Sequence, residues 1–262
     1  MYPFNYLRPT SVEAAHQSAS GDARYLAGGQ SLVQSMRLRL ASAESLVDLG
    51  GIESLRGIKV DATSVTIGAM TTHAAVARDP GVLKAIPALA SLAGGIGDQM
   101  VRNAGTIGGA IANADPAACY PAAVVGLGAT IVTDQREIAG DDFFIGLYET
   151  ALEPGELIVA VRFPIPKRAA YVKFKQPASR FALVGVMVSE GSAGVRVGVT
   201  GARASAYREQ GLEAKLAGNF SAKALDGAKL ASDGMNTDLH ATAEYRAAMV
   251  VVMAQRALAA AG

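Results

Sequence analysis

Two glycine-rich segments, "AGGQS" at 27–31 and "GTIGG" at 105–109, do most to limit what this chain can fold into. Glycine lets the backbone adopt positive φ or approach a neighbour closely, at a cost in conformational entropy. Amides exposed in such a turn, joined by a Ser or Thr hydroxyl, form a nest whose natural guest is a phosphate oxygen. Gly28, Gly29, Gln30 and Ser31 offer one nest, and Thr106, Gly108 and Gly109 the other. Two nests converging in space suit a pyrophosphate, and so a dinucleotide. Neither segment contains G-x-G-x-x-G with an acidic residue at ribose spacing, and neither is a G-x-x-x-x-G-K-[ST] loop. A dinucleotide would therefore need a fold of another kind. On spacing alone, turns and close packing also account for paired glycines.

Composition narrows the partners. At 262 residues the chain exceeds one ordinary domain, and half of it is hydrophobic. Its 24 Lys+Arg against 23 Asp+Glu leave no broad basic surface for nucleic acid. One cysteine excludes an internal disulfide, and the three scattered histidines complete no metal-ligand set, so any metal belongs to a partner. His16, His73 and His240 are assigned no chemistry, and Asp141 and Asp142 read as a solvated turn or helix start. The opening "MYPFNYLRPTS" is not a signal peptide, and "AAMVVVMAQRALAAAG" is broken by Gln255 and Arg256 before it could span a membrane. A cytoplasmic protein is expected.

Along the chain, residues 11–19 read as a short helix with a Ser cap, "RYLAGG" as a strand entering the first glycine segment, and "SLVQSMRLRLA" as mixed periodicity. Residues 45–49 and 64–70 read as strands, and the stretch up to residue 97 as helix interrupted by Pro80 and Pro87. A buried helix over 121–128 precedes the strand "ATIVT". Segments 156–164, 171–175, 181–189 and 194–201 read as four strands pairing antiparallel, and "HATAEYRAAMVVVMAQRALAAA" as a long amphipathic helix. The fold class is α+β. A boundary near 170, at "PIPKRA", gives domains 1–170 and 171–262.

"AGGQSLVQSMRLRLA" and "VRNAGTIGGAIANADPAACYPA" resemble the two FAD-binding signatures of the medium subunits of molybdenum hydroxylases, the family of xanthine dehydrogenase and aerobic carbon monoxide dehydrogenase. "PFNYLRPTSVEAA" and "YVKFKQPASRFALVGVMV" resemble the same family in the same order, so the likeness covers residues 1 to roughly 200. It implies an FAD-binding PCMH-type domain of two α/β subdomains, like vanillyl-alcohol oxidase and MurB, then a smaller domain of antiparallel strands and helices.

Carried over position by position, Ala27, Gly28, Gly29, Gln30 and Ser31, with Leu32 after them, and Thr106, Ile107, Gly108 and Gly109 would wrap the FAD pyrophosphate and ribityl chain. The resemblance places Ile96 near the adenine, Ile158 at the flavin ring through its backbone, Lys175 as a cation near the flavin, and Phe181 where some members stack a Tyr. Two positions depart from the pattern: Ala110 replaces an Asn or Ser, and Cys119 replaces an Asp, while Asn113 and Asp115 remain as polar neighbours. A thiol cannot accept hydrogen bonds as a carboxylate does.

The resemblance implies an FAD-binding oxidoreductase subunit with no catalytic acid or base of its own. It would take electrons from [2Fe–2S] clusters on an iron–sulfur small subunit, pass them to an external acceptor, and leave substrate chemistry to a molybdenum large subunit. A dimer of heterotrimers is the expected assembly. Two alternatives stand beside it: a scaffold subunit that binds FAD weakly or not at all, and a free-standing MurB-type flavoenzyme with its own proton donor.

Overall fold

Strand β3 (Ser45–Asp48) buries Leu46 and Val47 and lies between β1 (Asn5–Leu7) and β2 (Ala23–Leu26), parallel to both. Parallel neighbours need a crossover, here α1 (Val12–Ser18) and α2 (Leu32–Arg37). Ser11 caps α1 as its sequence predicts, by accepting from Ala14 N. Residues 27–31 therefore leave the carboxyl end of a parallel strand and enter a helix, the position at which open parallel sheets bind ligands. The mixed periodicity after them resolves as the six-residue α2, which buries only Met36 and is too short to show a face. The computed structural model describes residues 1–261.

The second sheet is antiparallel, in the order β4 (Ile58–Val60), β5 (Ser64–Gly68), β10 (Ile158–Pro164), β6 (Thr130–Thr133), β7 (Glu137–Ala139). Here the expectation for 156–164 is corrected. This strand does not join the three that follow it but sits at the centre of the earlier sheet, with Val161 opposite both Ile67 and Ile131. Alternation shows that β10 has a buried face and carries no information on which distant strands flank it. A separate hairpin, β8 (Phe144–Gly146) and β9 (Glu149–Thr150), follows α9 (Gly140–Phe143).

Between β5 and β6 run α3 (His73–Arg78), α4 (Pro80–Ala85), α5 (Pro87–Gly94), α6 (Gln99–Ala104), α7 (Ile107–Asn113) and α8 (Cys119–Leu127). Pro80 and Pro87 each open a helix, where a missing N–H costs nothing. Thr72, Asp79, Asp98 and Thr106 accept from the first-turn amides of α3, α4, α6 and α7. All nine residues of α8 are buried, and the helix starts two residues before the predicted 121.

The third sheet is β11 (Arg168–Lys175), β12 (Ala182–Gly191), β13 (Gly194–Thr200) and β14 (Tyr207–Arg208), antiparallel throughout. Strand β12 is apolar without alternation because both its faces are covered. Val184, Val186 and Val188 meet Val250, Met253 and Ala257 of α11 (Ala243–Ala260), while Met187 meets the face of α8. A β-carbon on Gly126 would lie 2.8 Å from that of Met187, and one on Gly198 would lie 2.7 Å from the Gly126 α-carbon, so α8 seats directly on this sheet. Helix α10 (Gln210–Leu216) completes the far layer. Asp141 and Asp142 lie in the first turn of α9, a helix start as expected, and Asp141 also pairs with Arg196 and, at 3.1 Å, with Arg208, tying α9 to the third sheet.

Candidate functional site

The two glycine segments meet. A β-carbon on Gly28 would overlap the Ala104 carbonyl oxygen and lie 2.7 Å from the Gly105 α-carbon, and one on Gly109 would lie 3.1 Å from the Ala27 methyl. Only the absence of those side chains lets the loop after β2 rest on the turn between α6 and α7. The joined loops wall one end of a cavity of about 490 Å³, the range of a cofactor site.

Their contributions differ. In the first loop Gly29 takes φ +69°, and the amides of residues 28–32 have no protein acceptor among the described residues. The Ser31 hydroxyl does not cap α2, and the Gln30 amide group folds back to donate to Gly28 O at 3.2 Å. This is an open nest of donors. In the second segment the amides are spent: Ile107 donates to Thr71 O, Gly108 to Ala69 O, Gly109 to the Thr106 hydroxyl and Ala110 to Thr106 O. The Gly108 amide is therefore not free to donate to a phosphate. A β-carbon there would lie 2.6 Å from that of Ala69, so the glycine is required for packing α7 against the end of β5.

Of the expected residues, Ala27 to Leu32, Thr106, Gly108, Gly109, Ala110, Asn113, Asp115, Cys119, Ile158 and Phe181 line this one cavity, and Ile96 joins them. Two do not. Ile107 is fully buried in the hydrophobic core. Lys175 lies outside the lining, and Lys173 stands in the wall instead. A register shift between Phe174 and Lys175 breaks the strand alternation, which the sequence does not disclose.

The Lys173 ammonium donates to Gly95 O at 2.9 Å, Arg180 O at 2.7 Å and Cys119 Sγ at 3.3 Å. Arg180, at φ +63°, donates across to Gly97 O at 3.1 Å. These two cations close the 176–181 turn over the 95–97 turn; both lie in the family-resembling stretch from Tyr171, which assigned neither a role. Cys119, which has no cationic neighbour in sequence, thus has one in space.

His73 was assigned no chemistry, yet it lines the cavity beneath the second segment at 4% exposure, with Nδ1 unpartnered. Burial, with a smaller contribution from Arg102, lowers its pKa to about 4. Its ring lies 5.4 Å from that of Tyr120, whose buried hydroxyl also lacks a partner. Burial raises the Asp115 carboxyl above its ordinary value. Glu156 behaves oppositely: Arg136 hydrogen bonds hold it at about 2, with the Thr133 hydroxyl 2.8 Å away. Arg136→Ala is expected to destabilise the fold at neutral pH by leaving that carboxylate buried and unpaired. The pair contributes fully above the carboxyl's unfolded value of 4.5 and loses its contribution as pH falls towards 2. The stability gap between parent and variant, read by urea titration, should therefore narrow below about pH 4.5; a gap that stays constant with pH would exclude this pair as its source.

Among the described residues there is no cluster of three or more His, Cys, Asp or Glu able to hold a metal ion, and no helix is long and apolar enough to cross a membrane. A family model described as the FAD binding domain in molybdopterin dehydrogenase matches residues 2–166. The carbon monoxide dehydrogenase medium chain of Hydrogenophaga pseudoflava is 36% identical, with 98% of this chain and 96% of its own covered. The nicotine 6-hydroxylase medium subunit of Paenarthrobacter nicotinovorans is 32% identical, with 98% and 96% covered. A chain in the crystal structure of the Cu,Mo-CO dehydrogenase superposes with a TM-score of 0.92 at 36% identity, covering 100% of this chain and 99% of that one. A chain of quinoline 2-oxidoreductase from Pseudomonas putida 86 superposes at 0.89 with 30% identity, covering 99% and 97%.

Proposed function

Since the chain belongs to the family of FAD-binding domains of molybdopterin dehydrogenases, we propose that the cavity between the glycine segments holds FAD and that the protein is the electron-transferring medium subunit of a molybdenum hydroxylase. The observation that carries this is the contact of residues 27–29 with residues 104–109 on one cavity, with an unspent amide nest on one side and buried polar atoms of His73 and Tyr120 lacking protein partners in its wall.

The amides of residues 28–32 and the Ser31 hydroxyl would donate to the pyrophosphate, while Thr106, Gly108, Gly109 and Ala110 form a shaped wall against it. Asn113, Asp115, Cys119 and Ile158 line the remainder, with Phe181 and the Lys173–Arg180 turn at the edge contributed by the third sheet. Bound FAD supplies the means to accept electrons singly and deliver them in pairs. The chain's own work is to bind and orient the group, exclude water from it, and place the Lys173 and Arg180 cations beside it. Relatives described as the medium chains or subunits of carbon monoxide dehydrogenase, nicotine 6-hydroxylase and glyceraldehyde dehydrogenase belong to enzymes named for different substrates. Substrate choice therefore belongs to another subunit.

Electrons would enter from [2Fe–2S] clusters on an iron–sulfur small subunit and leave for an external acceptor, with the molybdenum cofactor on a large subunit. A dimer of heterotrimers, a cytoplasmic location, and a division into an FAD-binding domain over 1–170 and a C-terminal domain over 171–262 complete the proposal. The experiment is a visible spectrum of the purified full chain after addition of FAD and removal of excess. Flavin bands near one equivalent support electron transfer; a colourless protein that takes up no FAD favours a scaffold subunit.

A further inference from the structure

The Asp115–Cys119 segment lines the cavity on one side and is held entirely by the third sheet on the other. Its three successive carbonyls all point away from the cavity into the ends of β12 and β13. Pro116 O accepts from Gly201 N at 2.6 Å and from the Thr200 hydroxyl at 2.5 Å, Ala117 O accepts from Ala182 N at 3.1 Å, and Ala118 O accepts from the same Thr200 hydroxyl at 2.7 Å. On the inner side, Asp115 Oδ1 takes the Ala117 amide at 2.8 Å, so the segment's backbone is specified from both directions. Asp115, Ala117, Ala118 and Cys119 line the cavity, whereas Thr200 is fully buried and does not.

Behind this junction, Gly201 takes φ +84°, and a β-carbon there would lie 2.7 Å from Ala182 O. The Arg246 guanidinium of α11 donates to Leu183 O at 2.7 Å and Gly201 O at 2.8 Å, which fixes the two strand ends against each other. The donors to the 116–118 carbonyls are thus themselves braced. Only one of them is a side chain, and so can be removed without disturbing a strand.

We infer that Thr200 is a positioning residue for the FAD site: its hydroxyl, shared between Pro116 O and Ala118 O, transmits the placement of the C-terminal sheet to the cavity wall that ends in Cys119. This rests on the flavin reading given above. The C-terminal sheet thereby becomes part of the cofactor site through a residue that does not itself line the cavity. A buried carbonyl deprived of its donor either stays unsatisfied or moves to find another. A shift of the 116–118 carbonyls carries Ala117, Ala118 and Cys119 with them.

The test uses the full chain with Thr200→Val, Thr200→Ser and Thr200→Cys, FAD as titrant followed by quenching of its fluorescence, and the visible circular dichroism of the bound flavin, all below the melting transition. Valine keeps the shape and removes the donor, serine keeps the donor, and cysteine offers a weak one at similar size. The expected result is an FAD dissociation constant about tenfold higher for Thr200→Val, the size of one buried hydrogen bond, with an altered flavin dichroism. Thr200→Ser should return both to the parent values, and Thr200→Cys should fall between. A valine variant that melts earlier but binds FAD with the parent's affinity and dichroism overturns the inference. So does equal affinity across Thr, Ser and Cys should the valine variant not fold. A parent chain that takes up no FAD overturns the flavin reading itself, and this inference with it.

Discussion

Gly28→Ala is expected to destabilise the fold by about 3 kcal/mol, lowering Tm by roughly 6–12 °C, and to abolish FAD uptake at concentrations that saturate the parent. The atoms a new methyl would meet are the carbonyl oxygen and carbon of Ala104 and the α-carbon of Gly105. All belong to backbone, so no rotamer change relieves the overlap, and one of the two loops must withdraw. Withdrawal opens the end of the cavity at which the unspent amides converge. Gly29→Ala is a different experiment, because its cost arises from φ +69° and from contact at 3.0 Å with the movable Val33 side chain, and it is expected to be milder. Gly218→Ala serves as the control, since a β-carbon there meets nothing within 4 Å. Thermal melts with and without FAD separate the effects. A Gly28→Ala protein that melts with the parent and fills with flavin would show that the two loops do not need this contact.

That contact also marks how far a linear reading reaches. The pairing of "AGGQS" with "GTIGG" was legible because glycine next to a hydroxyl is an uncommon local composition, and because the surrounding residues resemble a known pair of signatures. What each glycine is for was not. Gly28 answers to Ala104 and Gly108 to Ala69, neighbours supplied by the fold; on sequence alone both look like phosphate-facing positions. Lys175 and Lys173 share a parity on one strand, yet only Lys173 reaches the cavity, and a register shift separates Phe174 from Lys175. Strand 158–164 was recognised as a strand, yet its partners are chosen by long-range packing of Val161 between Ile67 and Ile131. Local chemistry identifies elements and donors. Pairing, register and close approach are properties of the assembled chain.

His73 has the same origin, and a marked pH dependence of stability is expected to follow from it. Its imidazole is 4% exposed, packs against Gly105, where a β-carbon would lie 2.6 Å from Nε2, and has no partner for Nδ1. Burial, assisted by Arg102, holds its pKa at about 4 against an ordinary 6.5. Across that window the unfolded chain binds a proton that the folded chain refuses, so stability rises with pH from about 4 to 6.5 and falls on acidification through the same range. The full difference is on the order of 3 kcal/mol, with a slope near 1.4 kcal/mol per pH unit at its steepest. Asp115, whose carboxyl is raised by burial, acts in the opposite sense, because its protonation on acidification relieves a buried charge. Asp115 therefore offsets part of the His73 contribution, while carboxylates held low, Glu156 among them, add to it towards the acid end. Protonation would place a cation directly under Gly105, the residue on which Gly28 rests, so flavin release is expected over the same pH range as the loss of stability. His73→Phe keeps a flat ring of similar outline and removes the titration. It should flatten the stability curve between pH 6.5 and 4 and retain FAD to lower pH, as followed by urea unfolding and by flavin fluorescence on stepwise acidification. If the parent and His73→Phe trace parallel curves through that window, the imidazole is not the group that governs it, and the acid sensitivity of the loop junction must arise elsewhere.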